Sequence, residues 1–532
     1  MSGRRATALV RAERPIHEVV LGHAVTGPDA EAVASDGVSV SYREFAGRAT
    51  SVAAALTAAG GVEGMPVAVR MEPGPTQAAA VLGVLSAGAC VLCLDTGEVG
   101  RRGRAVLEDL RPVRLLFDGR AAEDELVGWY REALGGSILD VGVAAGPGSS
   151  PHGTACEAAR APLPGLAEAD PDAWMYVTYT SGSTGRPKGI PQTRRGFTQF
   201  MSWFTEEFRI GPGARVAQWA APGYDASLVE MFAPLLAGAT LCPVSPRTRA
   251  NPEKIVDWLA AERVTHLQTV PSFARQLLEV INRSEAAGRL PELDHLLLAG
   301  EPLTGDLANG LRAALPGTRL VNLYGPTESI LATWHEVTGT VADRAPIGTP
   351  IPGREVLVLD ELDRPCPVGT TGELVIHSPY ITPGYVGAAA GERSAFEPPR
   401  GGGAAERFYR TGDLGRWNAD GLLEFVGRRD LQVKFNGIRL ELGDVEAVLT
   451  GHETVAECAV VAVPGRHRLV VSLAAFIVPR DSVSEGARAA WRTALRRWFG
   501  RAVPPVTFMT VGSLPRTPGG KVDRDRLRQL YA

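Results

Sequence analysis

The sequence predicts an α/β protein: a large N-terminal domain of α/β subdomains with mainly parallel sheets, followed by a small α+β C-terminal domain. Three observations carry this. Short apolar runs bounded by turn residues alternate with helical patterns through most of the chain. From Leu422 the pattern changes to closely spaced strand-like segments. The 532 residues, 45% hydrophobic and 21% charged, are enough for more than one buried core.

In chain order, the alternation runs through AAALTAAG (from Ala53), QAAAVLGVLSAGACVLCLD (from Gln77), VRLLFD (from Val113), EKIVDWLAAERVTHLQTV (from Glu253) and DHLLLAG (from Asp294). The Gly, Pro and Ser-rich stretches 144–155 and 398–406 read as exposed connections. After Leu422 come the strand-like LLEFVG, LQVKFNG, ECAVVAV and VVSLAAFIV, with helices around GDVEAVLTG and ARAAWRTALRRWFG. There is no fixed-period repeat or heptad run, which excludes solenoids and coiled coils.

A net charge of −4 supplies no basic field for nucleic acid or anionic lipid. The arginine-rich start lacks the roughly 7–15-residue apolar core of a signal peptide, and no run of about 18 apolar residues follows. A cytoplasmic location is expected. Of six cysteines only Cys90 and Cys93 form a CxxC, inside the apolar run Ala89–Leu94 and without a second pair or nearby His. They read as buried strand thiols rather than a metal or redox site.

The most informative segment is WMYVTYTSGSTGRPKG, Trp174 to Gly189, where a strand-like run breaks into Ser, Thr and Gly. Gly182, Gly185 and Gly189 permit backbone conformations that side chains forbid; Thr180, Ser181, Ser183 and Thr184 offer hydroxyl and N–H donors, and Lys188 adds a cation. Such a loop can wrap phosphate oxygens. It is not a Walker A loop, because the order GxxxxGK[ST] is absent, and by itself a merely flexible loop is the competing reading.

Further motifs follow in order: NLYGPTE (Asn322–Glu328), GELVI (Gly372–Ile376), YRTGD (Tyr409–Asp413), GRRDLQVK (Gly427–Lys434) and LPRTPGGK (Leu514–Lys521). With TSGSTGRPKG, these resemble the signature blocks of the acyl-adenylate-forming enzymes, which include nonribosomal-peptide adenylation domains, acyl-CoA synthetases and luciferases. The resemblance covers nearly the whole chain.

It implies residues 1–429 as the large domain and 430–532 as a small mobile domain, hinged at Asp430. It implies ATP and Mg2+ as cofactors. Lys521 reaches the substrate carboxylate and α-phosphate; Thr180, Ser181, Gly182, Ser183, Thr184, Gly185 and Lys188 hold the β and γ phosphates. Glu328 helps position Mg2+, a hard cation suited to a carboxylate, phosphate oxygens and water. Asp413 accepts from the ribose hydroxyls, Arg428 lies near ribose and phosphate, Tyr324 packs on adenine and Asn322 reads its amino edge, with Gly325 and Thr327 in the same block. Lys434 resembles the lysine that faces the site during thioester formation, after the small domain rotates. Thr180, Glu328, Lys434 and Lys521 are the implied catalytic set.

GYDASLVE, Gly223 to Glu230, looks like the block whose aspartate pairs with a substrate α-amino group. A buried carboxylate facing a fatty or aryl acid would be left unpaired at a cost, so Asp225 points to an amino acid. The resemblance carries the pocket lining to Asp225, Ala226, Val229, Gln268, Leu297, Ala299, Leu323, Leu331 and Ala332, with Lys521 completing it. The wall is mostly aliphatic and has no further charge. Gln268 could meet a hydroxyl, an amide or an indole N–H. A neutral, medium to large amino acid is expected.

No LGGxS-like carrier serine follows Lys521 and no HHxxxDG occurs, so the expectation is a stand-alone ligase that loads a separate phosphopantetheinylated carrier protein in trans. An MbtH-type helper is a possible partner of such enzymes. An acid-CoA ligase and a non-catalytic scaffold are the competing functions. The sequence departs from the family pattern at Arg194, at Phe425 and in Val503–Met509.

Overall fold

The computed structural model describes residues 14–35, 37–97, 101–119, 124–142, 170–180, 187–284, 290–403, 406–429, 432–435, 438–465, 470–480, 486–499, 503–516 and 522–531. Ser181–Gly185, the hinge position Asp430, Lys521 and the 144–155 connection lie outside them.

Two sheets built mainly of parallel strands carry the N-terminal part. In the larger, of nine strands, six are parallel: Glu31–Ser35, Thr240–Pro243, Arg215–Gln218, His266–Thr269, His295–Ala299 and Arg319–Tyr324, as neighbours in that order. Val38–Ser41, Thr333–Glu336 and Thr349–Pro350 add antiparallel edges. The six-stranded sheet runs Ser137–Asp140, Arg114–Phe117, Pro66–Arg70, Cys90–Leu94, Trp174–Thr180 and Lys188–Thr193, with only the last antiparallel.

The local chemistry explains these elements. Ser41 opens the helix Tyr42–Ala59 with a reciprocal cap, in which Glu44 N donates to its Oγ and its own N donates to Glu44 Oε2. Cys90–Leu94 is buried along its whole length, as an apolar run in a parallel sheet must be. Burial pushes the Cys93 thiol up to about 12 and Cys90 higher still. One continuous apolar core joins the helices Tyr42–Ala59, Pro75–Ser86, Arg194–Glu207 and Asp225–Ala237 to both sheets.

A four-stranded antiparallel sheet follows, in the order Glu355–Leu359, Gly372–His377, Phe408–Trp417 and Leu423–Arg428. Here the structure refines the sequence reading. LLEFVG has the strand character of the C-terminal segments, yet it pairs with Phe408–Trp417 and buries Leu423 with Tyr324, Ile347 and Leu374. The C-terminal part holds the hairpin Gln432–Phe435/Ile438–Glu441 and a sheet of Val455–Pro464, Val470–Pro479 and Val506–Thr510. The helices Leu442–Thr450 and Ala487–Phe499 share a core with it through Val445, Leu449, Trp491 and Leu495. Among the described residues no helix is long and apolar enough to cross a membrane.

Candidate active site

Gln268, Leu297, Ala299, Leu323 and Tyr324 lie on three neighbouring parallel strands, His266–Thr269, His295–Ala299 and Arg319–Tyr324, toward the carboxyl ends where open α/β sheets place their ligands. Register does the gathering. Gln268 stands beside Leu297 and Leu297 beside Val321, while Ala299 stands beside Leu323. Leu297, Leu323, Leu331 and Val229 share one apolar cluster, with Ala299 packed against it. Ala332 lies in the adjoining cluster with Tyr324. Gln268 is half-buried, and its Oε1 is enclosed without a hydrogen-bond partner among the described residues.

Asp225 and Ala226 are the first residues of the helix Asp225–Ala237, whose N-terminus favours a negative side chain. Asp225 Oδ1 accepts from Ala226 N at 2.9 Å, and the Thr327 hydroxyl also donates to the carboxylate. The residue keeps some exposure, but its carboxyl group is enclosed by protein, and burial first, with Glu328 nearby, pushes its pKa up to about 6. Among the described residues no cationic side chain forms an ion pair with it. One turn further along the helix, Glu230 is also buried, and desolvation pushes it up to about 8. Its Oε2 accepts from Ala220 N at 2.8 Å, so this acid fastens the loop that delivers Asp225.

The other half of the site is polar. Asp413, 4% exposed, accepts from the Tyr324 hydroxyl at 2.6 Å and from Arg428 Nη1 at 2.5 Å. Arg428 Nη2 reaches the Thr411 carbonyl at 3.2 Å. Burial and the neighbouring Asp413 hold the Tyr324 hydroxyl well above its ordinary pKa, so it acts as a donor. Asn322 is buried and donates from Nδ2 to the Pro346 carbonyl at 2.8 Å. A side chain at Gly325 would come within 2.5 Å of Ala332 N, which explains why glycine stands where the chain doubles back.

Thr180 and Lys188 face each other in the Trp174–Thr180/Lys188–Thr193 hairpin, at the base of the glycine-rich loop. Lys188 Nζ is 2.6 Å from Glu392 Oε2 and lies 5.3 Å over the Tyr385 ring. The Tyr385 hydroxyl donates to Glu328 Oε1 at 3.0 Å, and Glu328 is 1% exposed. Tyr385 therefore connects the loop lysine to the carboxylate expected to serve the metal. Neither Tyr385 nor Glu392 was flagged by sequence reasoning, because only folding brings residues 188, 328, 385 and 392 together. Lys434 lies half-buried on the C-terminal hairpin, opposite Arg439 in register.

Set beside known proteins, residues 22–386 match the family described as AMP-binding enzyme and residues 444–521 match the AMP-binding enzyme C-terminal domain. The chain is 35% identical over 508 residues to phosphinothricin tripeptide synthetase PhsB of Streptomyces viridochromogenes, covering 94% of this chain and 41% of that protein. It thus spans less than half the length of that synthetase. It is 34% identical to novobiocin biosynthesis protein H of Streptomyces niveus, over 93% of this chain and 79% of that protein. Among solved structures, the crystal structure of IdnL1 superposes with a TM-score of 0.78 at 27% identity, covering 96% of this chain and all of that one. With both family regions in place across a site of this construction, the chain belongs to the AMP-binding enzyme family as an adenylation domain of the acyl-adenylate-forming superfamily, a ligase that catalyses adenylate formation.

Proposed function

We propose that this ligase activates a neutral, medium to large amino acid as its aminoacyl-AMP, and passes the acyl group to the phosphopantetheine thiol of a separate carrier protein in natural-product biosynthesis. The observation that carries the reading is Asp225: an enclosed carboxylate, costly to ionise, at the start of the helix that carries the buried Val229, and without a cationic partner among the described residues. A substrate ammonium supplies the missing charge.

In the first half-reaction a carboxylate oxygen of the amino acid attacks the α-phosphorus of ATP, and the bond to pyrophosphate breaks as the new O–P bond forms. Two anions must approach, so this chain's task is to align and neutralise. Asp225 anchors the ammonium while Val229, Leu297, Ala299, Leu323, Leu331 and Ala332 enclose the side chain, with Gln268 offering its amide. Asp413, braced by Tyr324 and Arg428, takes the ribose hydroxyls. Lys188 and the Thr180–Gly185 segment are assigned to the β and γ phosphates, and Lys521, outside the described residues, to the carboxylate and the α-phosphate. Glu328 suits Mg2+, being an oxygen donor in a buried position bridged to Lys188 through Tyr385. When bound there, Mg2+ supplies charge neutralisation on the phosphates.

In the second half-reaction the thiol sulfur attacks the acyl carbonyl, AMP departs with the bonding electrons, and the thiol proton passes to solvent. Rotation of residues 430–532 about Asp430 would exchange Lys521 for Lys434 at the cleft. An MbtH-type helper and a cytoplasmic setting belong to the same proposal.

Exchange of labelled pyrophosphate into ATP, driven by each proteinogenic and several non-proteinogenic amino acids and by aryl and fatty acids, tests this. Exchange with a neutral amino acid supports it; exchange only with acids lacking an amine makes the enzyme an acid-CoA ligase.

A further inference from the structure

Between the carboxylate Glu328 and the pocket residues Leu331 and Ala332 lies a turn in an uncommon conformation. Ile330 has φ +66° and ψ −64°, a left-handed backbone at a β-branched residue. Leu331 N donates to Ser329 O at 2.8 Å, closing a three-residue γ-turn. A turn of this kind persists only where its surroundings over-determine it.

Three carbonyls in succession are held from outside. Gln192 Nε2 donates to Thr327 O at 2.9 Å and Glu328 O at 3.2 Å, and Thr382 N donates to Glu328 O at 2.8 Å. The Ser329 carbonyl receives both arms of a guanidinium, Arg354 Nε at 3.3 Å and Nη2 at 3.1 Å. Arg354 Nη1 donates to Gln199 Oε1 at 2.9 Å, and Gln199 Nε2 donates to the Pro352 carbonyl at 2.8 Å.

Arg354 is 6% exposed and lies over the Phe200 ring, 5.7 Å from its centroid. Among the described residues it makes no ion pair with a carboxylate. Burying a guanidinium on neutral partners is unfavourable, and burial pushes its pKa down to about 9, which leaves it charged at neutral pH. An apolar residue would fill the same space without that penalty, so the charge is kept for what it holds.

We propose that Arg354 is a positioning residue: by gripping the Ser329 carbonyl it locks the Ser329–Leu331 turn, and so fixes the Glu328 carboxylate on one side of the turn and the Leu331–Ala332 wall of the amino-acid pocket on the other. One grip thereby sets both nucleotide binding through Mg2+ and amino-acid binding. Both halves rest on the proposed function, the amino-acid half on the substrate class and the nucleotide half on Glu328 as the Mg2+ carboxylate, and the calorimetry reads the second without the first.

The test compares wild type with Arg354→Met and Arg354→Lys, after circular dichroism establishes folding. Calorimetry measures ATP binding with and without Mg2+, and pyrophosphate exchange gives KM and kcat for the amino acid found by the screen. Arg354→Met should weaken ATP binding about tenfold in Mg2+ only, and raise the amino-acid KM about tenfold. Guanidinium ion should restore a substantial part of both. Arg354→Lys, which keeps the charge but not the two-armed grip, should behave like the Met variant.

Unchanged constants in Arg354→Met, or full rescue by Lys, would overturn the proposal. If Arg354→Met does not fold, Gln199→Ala loosens the same guanidinium from outside and should give the same pattern at about threefold; no change there overturns it equally. A wild type that binds ATP but exchanges with no amino acid would instead count against the proposed substrate class.

Discussion

Asp225→Asn separates stability from function most sharply. In the folded protein the Asp225 carboxyl titrates near 6, against an ordinary 3.8, mainly through burial. Two pKa units correspond to roughly 3 kcal/mol, discounted to roughly 2 because the residue retains some exposure. The sign follows from proton linkage. Below about pH 4 the group is protonated folded or unfolded and contributes nothing. As pH rises toward 6 the unfolded chain releases its proton while the folded chain keeps it, so the wild type loses stability, and above 6 the loss is complete. Asparagine has no proton to lose.

Asp225→Asn should therefore be more stable than wild type at pH 7.5 by roughly 2 kcal/mol, by less at pH 5, and not at all near pH 4. Function should move the other way. An ammonium left without its carboxylate in a buried pocket costs about 3 kcal/mol or more, so kcat/KM for the amino acid should fall at least about 100-fold. Urea melts at several pH values and pyrophosphate exchange read the two effects. A variant less stable than wild type at pH 7.5, a stability gap independent of pH, or a kcat/KM within tenfold of wild type would refute the reasoning.

Lys521→Ala should abolish most pyrophosphate exchange, whereas Lys434→Ala should leave exchange and slow loading of the thiol; equal loss of both steps in both variants contradicts the assigned division. Lys188, proposed to hold a phosphate, is paired with Glu392, so Glu392→Gln should lower the KM for ATP about two- to threefold, as initial rates at varied ATP will show. Gly348 has φ +84°, and a Cβ there would lie 2.0 Å from the Trp334 carbonyl oxygen. Gly348→Ala should cost roughly 3 kcal/mol or more, read as a lowered urea midpoint.

Much of this molecule is legible in one dimension. The parallel-sheet architecture shows because each buried strand, such as Cys90–Leu94, must be apolar along its whole length. The glycine-rich segment, the NLYGPTE block and GYDASLVE stand out in the sequence because each is a run of contiguous residues, and the last of them places Asp225 as the first residue of a helix. The assignment of Leu423–Arg428 to a sheet was not legible, since strand periodicity names no partner and its mate Phe408–Trp417 was chosen by packing around Leu423.

The same limit hid Tyr385 between Lys188 and Glu328, Glu392 on Lys188, Glu230 under the Ala220 loop, and Arg354 on the Ser329 carbonyl. An arginine or tyrosine in a sequence looks the same whether it faces water or a buried carbonyl. The sequence by itself determined which chemical groups this protein carries and in what order. Only the tertiary structure decided which of them are desolvated and paired, because burial and hydrogen-bond geometry are properties of residues far apart in the chain.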